Sequence, residues 1–379
     1  MKHLLAMLLV SLTLVSCSGL RVERTFRPSP QDWTLFGGSP ARTHATTALL
    51  KPPFETVWEY NALAGISASP LVRDSVVIIT TLNGELQAVN LVNGKRLGYV
   101  VLEPSIAGTP ALDNSAVIVP LAGGDETLIS LSLRTSEQFW KATLGPIESS
   151  PLLYDNFVYV TTMEGIAYCL KKHDGSIVWK FESGTEERRK PIRSSPATDG
   201  QTIFFGGDDG YLYALDRTSG TLRWKFNAGA SVFASPIVTR NAVLFGTLGG
   251  KFHCLDATNG AMRWTFDTAS PIYGTAAAND EAVFVGSSNG ICYALDLQSG
   301  TKRWQFLTRS VVNSPPLIAG NLLYWGSMDR TLYALDSQTG KELWRYDALG
   351  RIRVPPVIWG NLLLVTSEDK FVVALRPAQ

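Results

Sequence analysis

The sequence predicts an all-β fold: an eight-bladed β-propeller of four-stranded antiparallel blades, closed by an N-terminal strand. Three observations predict it. The first is a fixed period. The distance from a Ser-Pro proline to a tryptophan is 28 residues at Pro151/Trp179, Pro196/Trp224, Pro236/Trp264 and Pro316/Trp344, and again from Ala276 to Trp304. Trp224, Trp264, Trp304 and Trp344 lie 40 apart, and a repeat of that length marks an array or propeller. The second is the content of each unit. In the fourth these are Pro196 to Thr198, Thr202 to Phe205, Tyr211 to Leu215 and Leu222 to Phe226, short β-forming segments parted by turn residues. The third is an asymmetry between the ends. The last unit opens at Val354-Pro355-Pro356 and stops before its Trp-bearing strand, whereas Phe54 to Tyr60 carries Trp58 with no unit before it. Borrowing that strand closes the eighth blade and removes the exposed sheet edges of an open array.

Each element has a chemical reason. Trp58, Trp140, Trp179, Trp224, Trp264, Trp304 and Trp344 are expected to lie against the neighbouring blade and glue the ring together. An indole buries about 150 to 250 Å², which at about 25 cal/mol/Å² is an upper bound of roughly 4 to 6 kcal/mol before entropy. From Pro110 to Trp140 the spacing is 30, and in the first unit the slot falls on Gly98, beside Tyr99. Asp216, Asp256, Asp296 and Asp336 suit Asx turns, with Gly220, Gly260, Gly300 and Gly340 supplying positive φ. No sustained 3.6-residue apolar period follows the N-terminus, so helices are not expected.

Residues 1–16 read as a leader: Lys2 and His3 precede an apolar run from Leu4 to Val15, too short to span a bilayer. Residues 17–50 read as a tether with an entry motif, and 51–379 as the propeller. The formal charge of +1 offers no basic field for nucleic acid. Cys169, Cys254 and Cys292 form no CxxC pair, and His44, His173 and His253 have no metal-ligand spacing. No phosphate loop, nucleophile elbow or zincin helix occurs.

Function is expected at one rim. Three residues before each Ser-Pro proline, or its equivalent, stand Ser67, Ala107, Glu148, Arg193, Phe233, Tyr273, Asn313 and Arg353. This position changes type from blade to blade, as a mouth facing solvent or a ligand does. Between Trp179 and Pro196 the junction is lengthened and carries Glu186-Glu187-Arg188-Arg189-Lys190, a charged handle for a partner.

The stretch Gly210-Tyr-Leu-Tyr-Ala-Leu-Asp216-Arg-Thr-Ser-Gly220-Thr-Leu-Arg-Trp224 resembles the tryptophan-docking repeat of the quinoprotein (PQQ-like) propellers. Asp32-Trp33-Thr-Leu-Phe36-Gly-Gly-Ser-Pro40-Ala-Arg42 resembles their opening motif, in which the aromatics pack on the closing blade. The quinoprotein dehydrogenases bind PQQ and a Ca²⁺ held by Glu and Asn, over a disulfide of adjacent cysteines. Glu148 and Asn313 are the only candidates for the metal, and adjacent cysteines are absent. Leu14-Val15-Ser16-Cys17 resembles the bacterial lipobox, which implies acylation at Cys17, with Ser18 favouring the outer membrane. A lipobox joined to such a ring resembles the BamB family of outer-membrane assembly lipoproteins. That resemblance implies no catalysis, no cofactor and a periplasm-facing scaffold docked on BamA. The family's Leu-Arg pair matches Ile192-Arg193, while its acidic pair is replaced by Ser231, Val232 and Phe233. The expected partner surface is Arg188, Arg189, Ile192, Arg193, Phe233, Tyr273 and Arg353. The alternatives are a PQQ-dependent periplasmic oxidoreductase and a propeller that binds peptides or glycans.

Overall fold

The structure is a computed structural model that describes residues 19, 20, 22 and 26–378. The leader and Cys17 lie outside the described residues. Eight antiparallel sheets form the ring, with no helix among the described residues. Blade one holds Leu71–Arg73, Val76–Thr80, Glu85–Asn90 and Arg96–Val101, from the channel outward. Blades two to seven repeat the order, and blade four shows the expected segments as Ala197–Thr198, Thr202–Gly206, Tyr211–Asp216 and Leu222–Asn227.

Blade eight is the closure. Its inner three strands are Val357–Trp359, Leu362–Thr366 and Phe371–Pro377, and its outer strand is Phe54–Asn61, with Thr56 opposite Leu375 and Trp58 opposite Ala374. The two ends of the chain are thereby hydrogen-bonded in one sheet.

The tryptophans dock as the period demands. The indole of Trp58 donates to Leu91 O at 2.7 Å, Trp140 to Lys172 O at 2.8 Å, Trp179 to Arg217 O at 3.1 Å and Trp224 to Ala257 O at 3.1 Å. Trp264 donates to Leu297 O and Trp304 to Ser337 O, both at 3.0 Å. Each acceptor is the second residue of the next blade's five-residue turn ending in Gly, which opens with Asp in four of the six, with Asn90 ahead of Leu91 and with Lys171 ahead of Lys172. Gly220 in that turn has φ 71°, and a Cβ there would sit 2.5 Å from the Trp179 ring, so glycine is required twice over. A bulge one residue before the tryptophan turns the indole toward its neighbour and frees an arginine. Arg223, Arg263 and Arg303 use this freedom to reach Asp216, Asp256 and Asp296 at 2.6, 2.7 and 2.7 Å. The other carboxylate oxygen of Asp216 accepts the Thr218 and Ser219 N–H groups, the expected Asx turn.

Trp344 is the exception. The chain break in blade eight removes the turn that would receive it, and its ring packs edge-on against Phe54 at 5.1 Å instead.

The Ser-Pro motif also gains a cause. The Ser69 N–H donates to Thr109 Oγ1 in the next blade, Thr109 N–H to Ser150 Oγ, Ser150 N–H to Ser195 Oγ and Ser195 N–H to Ser235 Oγ, at 2.9 to 3.0 Å. A chain of hydroxyls thus ties blades one to five at the channel.

The segment expected as a tether is in fact packed into the ring from about residue 31 to residue 50. It bonds to the inner strands in turn: Trp33 to Val72, Thr34 to Leu112, Pro40 to Thr198, Ala41 to Val238, Thr43 to Ala278 and His44 to Ile318. Ala45–Thr46 then pairs in parallel with Ile318 and Ala319. Gln31 and Asp32 reach Gly360 and Trp359 of blade eight, while Trp33 itself pairs with blade one. The inner strands leave backbone N–H groups facing the channel, and a buried donor without a partner is costly. A plug of carbonyl acceptors supplies what water would otherwise have to.

Candidate functional site: the funnel on the rim face

Above the plug, the channel opens as a funnel of about 520 Å³. All eight period-predicted rim positions line it, Ser67, Ala107, Glu148, Arg193, Phe233, Tyr273, Asn313 and Arg353, with Phe36 at its base. The reason is register: each stands in the loop four residues before an inner strand, one residue after a buried Ile or Val that fixes the loop. Ile66, Ile106, Ile147, Ile192, Val232, Ile272, Val312 and Ile352 are all at most 1 % exposed. This corrects the expectation for Ile192: it is a core residue with seven equivalents and presents nothing to a partner.

The floor is held by Arg42, which is fully buried. Its guanidinium donates to Pro196 O at 2.5 Å, Phe36 O at 2.8 Å and Ser150 O at 2.9 Å, so one side chain ties the plug to blades three and four. No carboxylate among the described residues pairs with it, and burial lowers its pKa to about 9. His44, also fully buried, meets Phe36 edge-on at 4.9 Å and has no hydrogen-bond partner on either ring nitrogen. Burial, and then Arg42, lower its pKa to about 3, so it is neutral in the fold. Neither role was legible beyond the opening motif, whose resemblance implied packed aromatics but assigned nothing to Arg42 or His44.

The walls divide by chemistry. On blades three and four Arg193 bridges Glu148, at 3.3 Å, and Asp208, whose other oxygen accepts from Ser231 at 3.0 Å. On blades five and six Phe233 and Tyr273 pack edge to face at 5.6 Å, and Tyr273 is exposed. On blade eight Arg353 pairs with Glu368 at 3.2 Å. The charged insertion beside the funnel splits in two: Arg188 is exposed, whereas Arg189 folds back on Glu182 at 3.3 Å. Asp208 and Glu368, the acids that fix the two rim arginines, were not singled out from the sequence because they sit in strand turns rather than at the rim position.

The lining does not fit a quinone and its calcium. Glu148 is already engaged by Arg193, Asn313 lies on blade seven, and no group of three metal-capable His, Cys, Asp or Glu side chains occurs among the described residues. Cys169, Cys254 and Cys292 are free and buried within strands.

A family model described as outer membrane protein assembly factor BamB matches residues 208–315 and 308–378. The chain is a PQQ-like propeller resembling BamB. BamB of Yersinia pestis is 29% identical over 149 residues, 35% of this chain and 37% of that protein. Tetrathionate hydrolase of Acidithiobacillus ferrooxidans is 32% identical over 103 residues, 26% of this chain and 20% of the hydrolase. These matches span between a fifth and just over a third of the curated relatives' length. Among solved structures, BamB from Moraxella catarrhalis superposes with a TM-score of 0.72 at 20% identity, covering 86% of this chain and 100% of that one. Quinohemoprotein alcohol dehydrogenase from Comamonas testosteroni gives 0.77 at 14% identity, covering 91% and 80%. At such identities the superpositions establish the fold that BamB and the dehydrogenases share.

Proposed function

We propose that this chain is a non-catalytic scaffold of outer-membrane β-barrel assembly, anchored by acylated Cys17 on the periplasmic side and docked on a BamA-like protein through its funnel face. The observation that carries the reading is the plug. Chain that could have been a tether occupies the channel, so the funnel ends on Phe36, held by buried Arg42, and leaves a mixed polar and aromatic surface suited to another protein. The accessible part of that surface is the aromatic pair of exposed Tyr273 and half-buried Phe233, flanked by Arg193, Arg353 and Arg188. Aromatics and arginines are the side chains that most often dominate binding energy at protein interfaces. The BamB matches supply the class of partner, and the funnel's poor fit to a quinone site weighs against the dehydrogenase alternative.

The test is a photo-crosslinking amino acid at Phe233, Tyr273 or Arg188 in the native host, with the captured protein identified by mass. Capture of a BamA-like protein, weakened by Arg193→Ala without loss of the folded ring, is the expected result. Capture of only unrelated proteins rejects the partner. Dye-linked alcohol or sugar oxidation by the purified chain with PQQ and Ca²⁺ rejects the non-catalytic reading.

A further inference from the structure

One blade junction lacks its tryptophan, and what fills the gap fixes how the ring meets a membrane. In blade one the indole position is Gly98, and a Cβ there would lie 2.0 Å from the carbonyl oxygen of Gly19. Gly19 forms an antiparallel bridge with Tyr99, on the outermost strand of the blade. Leu20 is 0 % exposed, and its N–H donates to Ser136 Oγ at 2.7 Å. Ser136, with φ 62°, occupies in blade two the turn position that glycine takes elsewhere, where the incoming indole would rest. Val22 is buried beside them. An N-terminal strap, not a side chain of the repeat, therefore docks blade one on blade two.

We propose that the outer edge of blades one and two is the membrane-facing edge of the ring, in contact with an anionic phospholipid surface and held there by this strap. The proposal rests on the acylated Cys17 of the preceding reading. Cys17 is two residues from Gly19, and two residues span at most about 7 Å. Acyl chains on Cys17 must enter the bilayer beside the strap, not at the end of a thirty-residue leash. The edge has matching chemistry. Val92, Phe139 and Val101 are 68, 52 and 48 % exposed, and Lys95, Arg96 and Arg134 are exposed on the same outer strands and the turns that lead into them, outnumbering the exposed acid there, Glu137. Arg96 stacks over the Tyr99 ring at 4.8 Å, a pair with an apolar body and a cationic rim. Apolar side chains set among cations are what a peripheral protein presents to anionic headgroups.

The test uses the full acylated chain in vesicles of phosphatidylethanolamine and phosphatidylglycerol doped with a headgroup-nitroxide lipid. A fluorophore is placed by Phe139→Cys on the proposed edge, or by Met262→Cys, an exposed outer-strand position on blade five, three blades away. Several-fold stronger quenching at position 139 is expected. The double variant Gly98→Trp/Ser136→Gly rebuilds the standard dock and evicts the strap, and should bring the two positions toward equality while the ring stays folded. Equal quenching in the acylated parent chain overturns the edge, and an undiminished difference in the double variant overturns the strap as its cause. A purified protein whose mass lacks the acyl chains overturns the anchor reading itself, and the two failures are told apart by that mass.

Discussion

His44 makes the plug acid-sensitive, and the size of the effect can be worked out. In the unfolded chain a histidine titrates near 6.5, whereas in the fold burial and the Arg42 charge hold His44 at about 3. A base with a lowered folded pKa contributes stability above its unfolded value and loses it as pH falls, because the unfolded chain binds the proton that the fold refuses. Between pH 7 and pH 5 the unfolded state gains most of one proton at this site and the folded state almost none, a loss of about 2 kcal/mol. His253, stacked on Phe245 at 5.2 Å and held at about 4 by burial and then Lys251, adds a loss of similar size over the same window. The assay is urea denaturation at a series of pH values. The variant is His44→Asn, since asparagine tolerates the positive φ of 51° at this position. Whatever the variant costs at pH 7, its stability should fall about 2 kcal/mol less between pH 7 and 5 than that of the parent. An unchanged pH slope would refute the claim that His44 is buried and neutral.

Two further predictions follow from the ring. Trp264→Ala, which removes a buried indole and its bond to Leu297, should cost about 3 to 5 kcal/mol, while Trp344→Ala, at the seam with no turn to receive it, should cost less than half as much; chemical denaturation compares them directly. A chain starting at Ala62 loses the plug and the strap together with the closing strand, leaves Phe371–Pro377 as an open edge, and should run as aggregate in size-exclusion chromatography, with monomer restored by a segment of residues 19–61 added in trans but not by that segment carrying Trp58→Pro, which cannot pair as the closing strand; equal rescue by both segments would show that closure is dispensable.

What the sequence revealed and what it hid have one physical origin. A repeat writes the same problem eight times, so its solutions appear at fixed spacing: the Trp slot, the Asp-x-x-x-Gly turn, the rim position one residue past a buried Ile or Val. Seven tryptophans, the eight funnel residues and the strand shared by the two chain ends could all be found by counting. The plug and the strap solve problems that occur once. Arg42 looks like a surface cation in a Pro-bearing stretch, yet it is the residue that carbonyls from two blades and from its own segment converge on. Leu20 looks like chain behind a leader, yet it fills the slot that Gly98 leaves open. The visible clue was negative in both cases. A ring of eight inner strands needs acceptors in its channel, and a repeat that omits one indole needs a substitute. Residues that fill a gap in a periodic structure carry no period of their own, so the gap itself is the signal. In this chain both gaps point to the described residues before the first strand of the ring, in a region that composition describes as linker: residues 31–50 fill the channel, and Gly19 and Leu20 fill the junction without an indole.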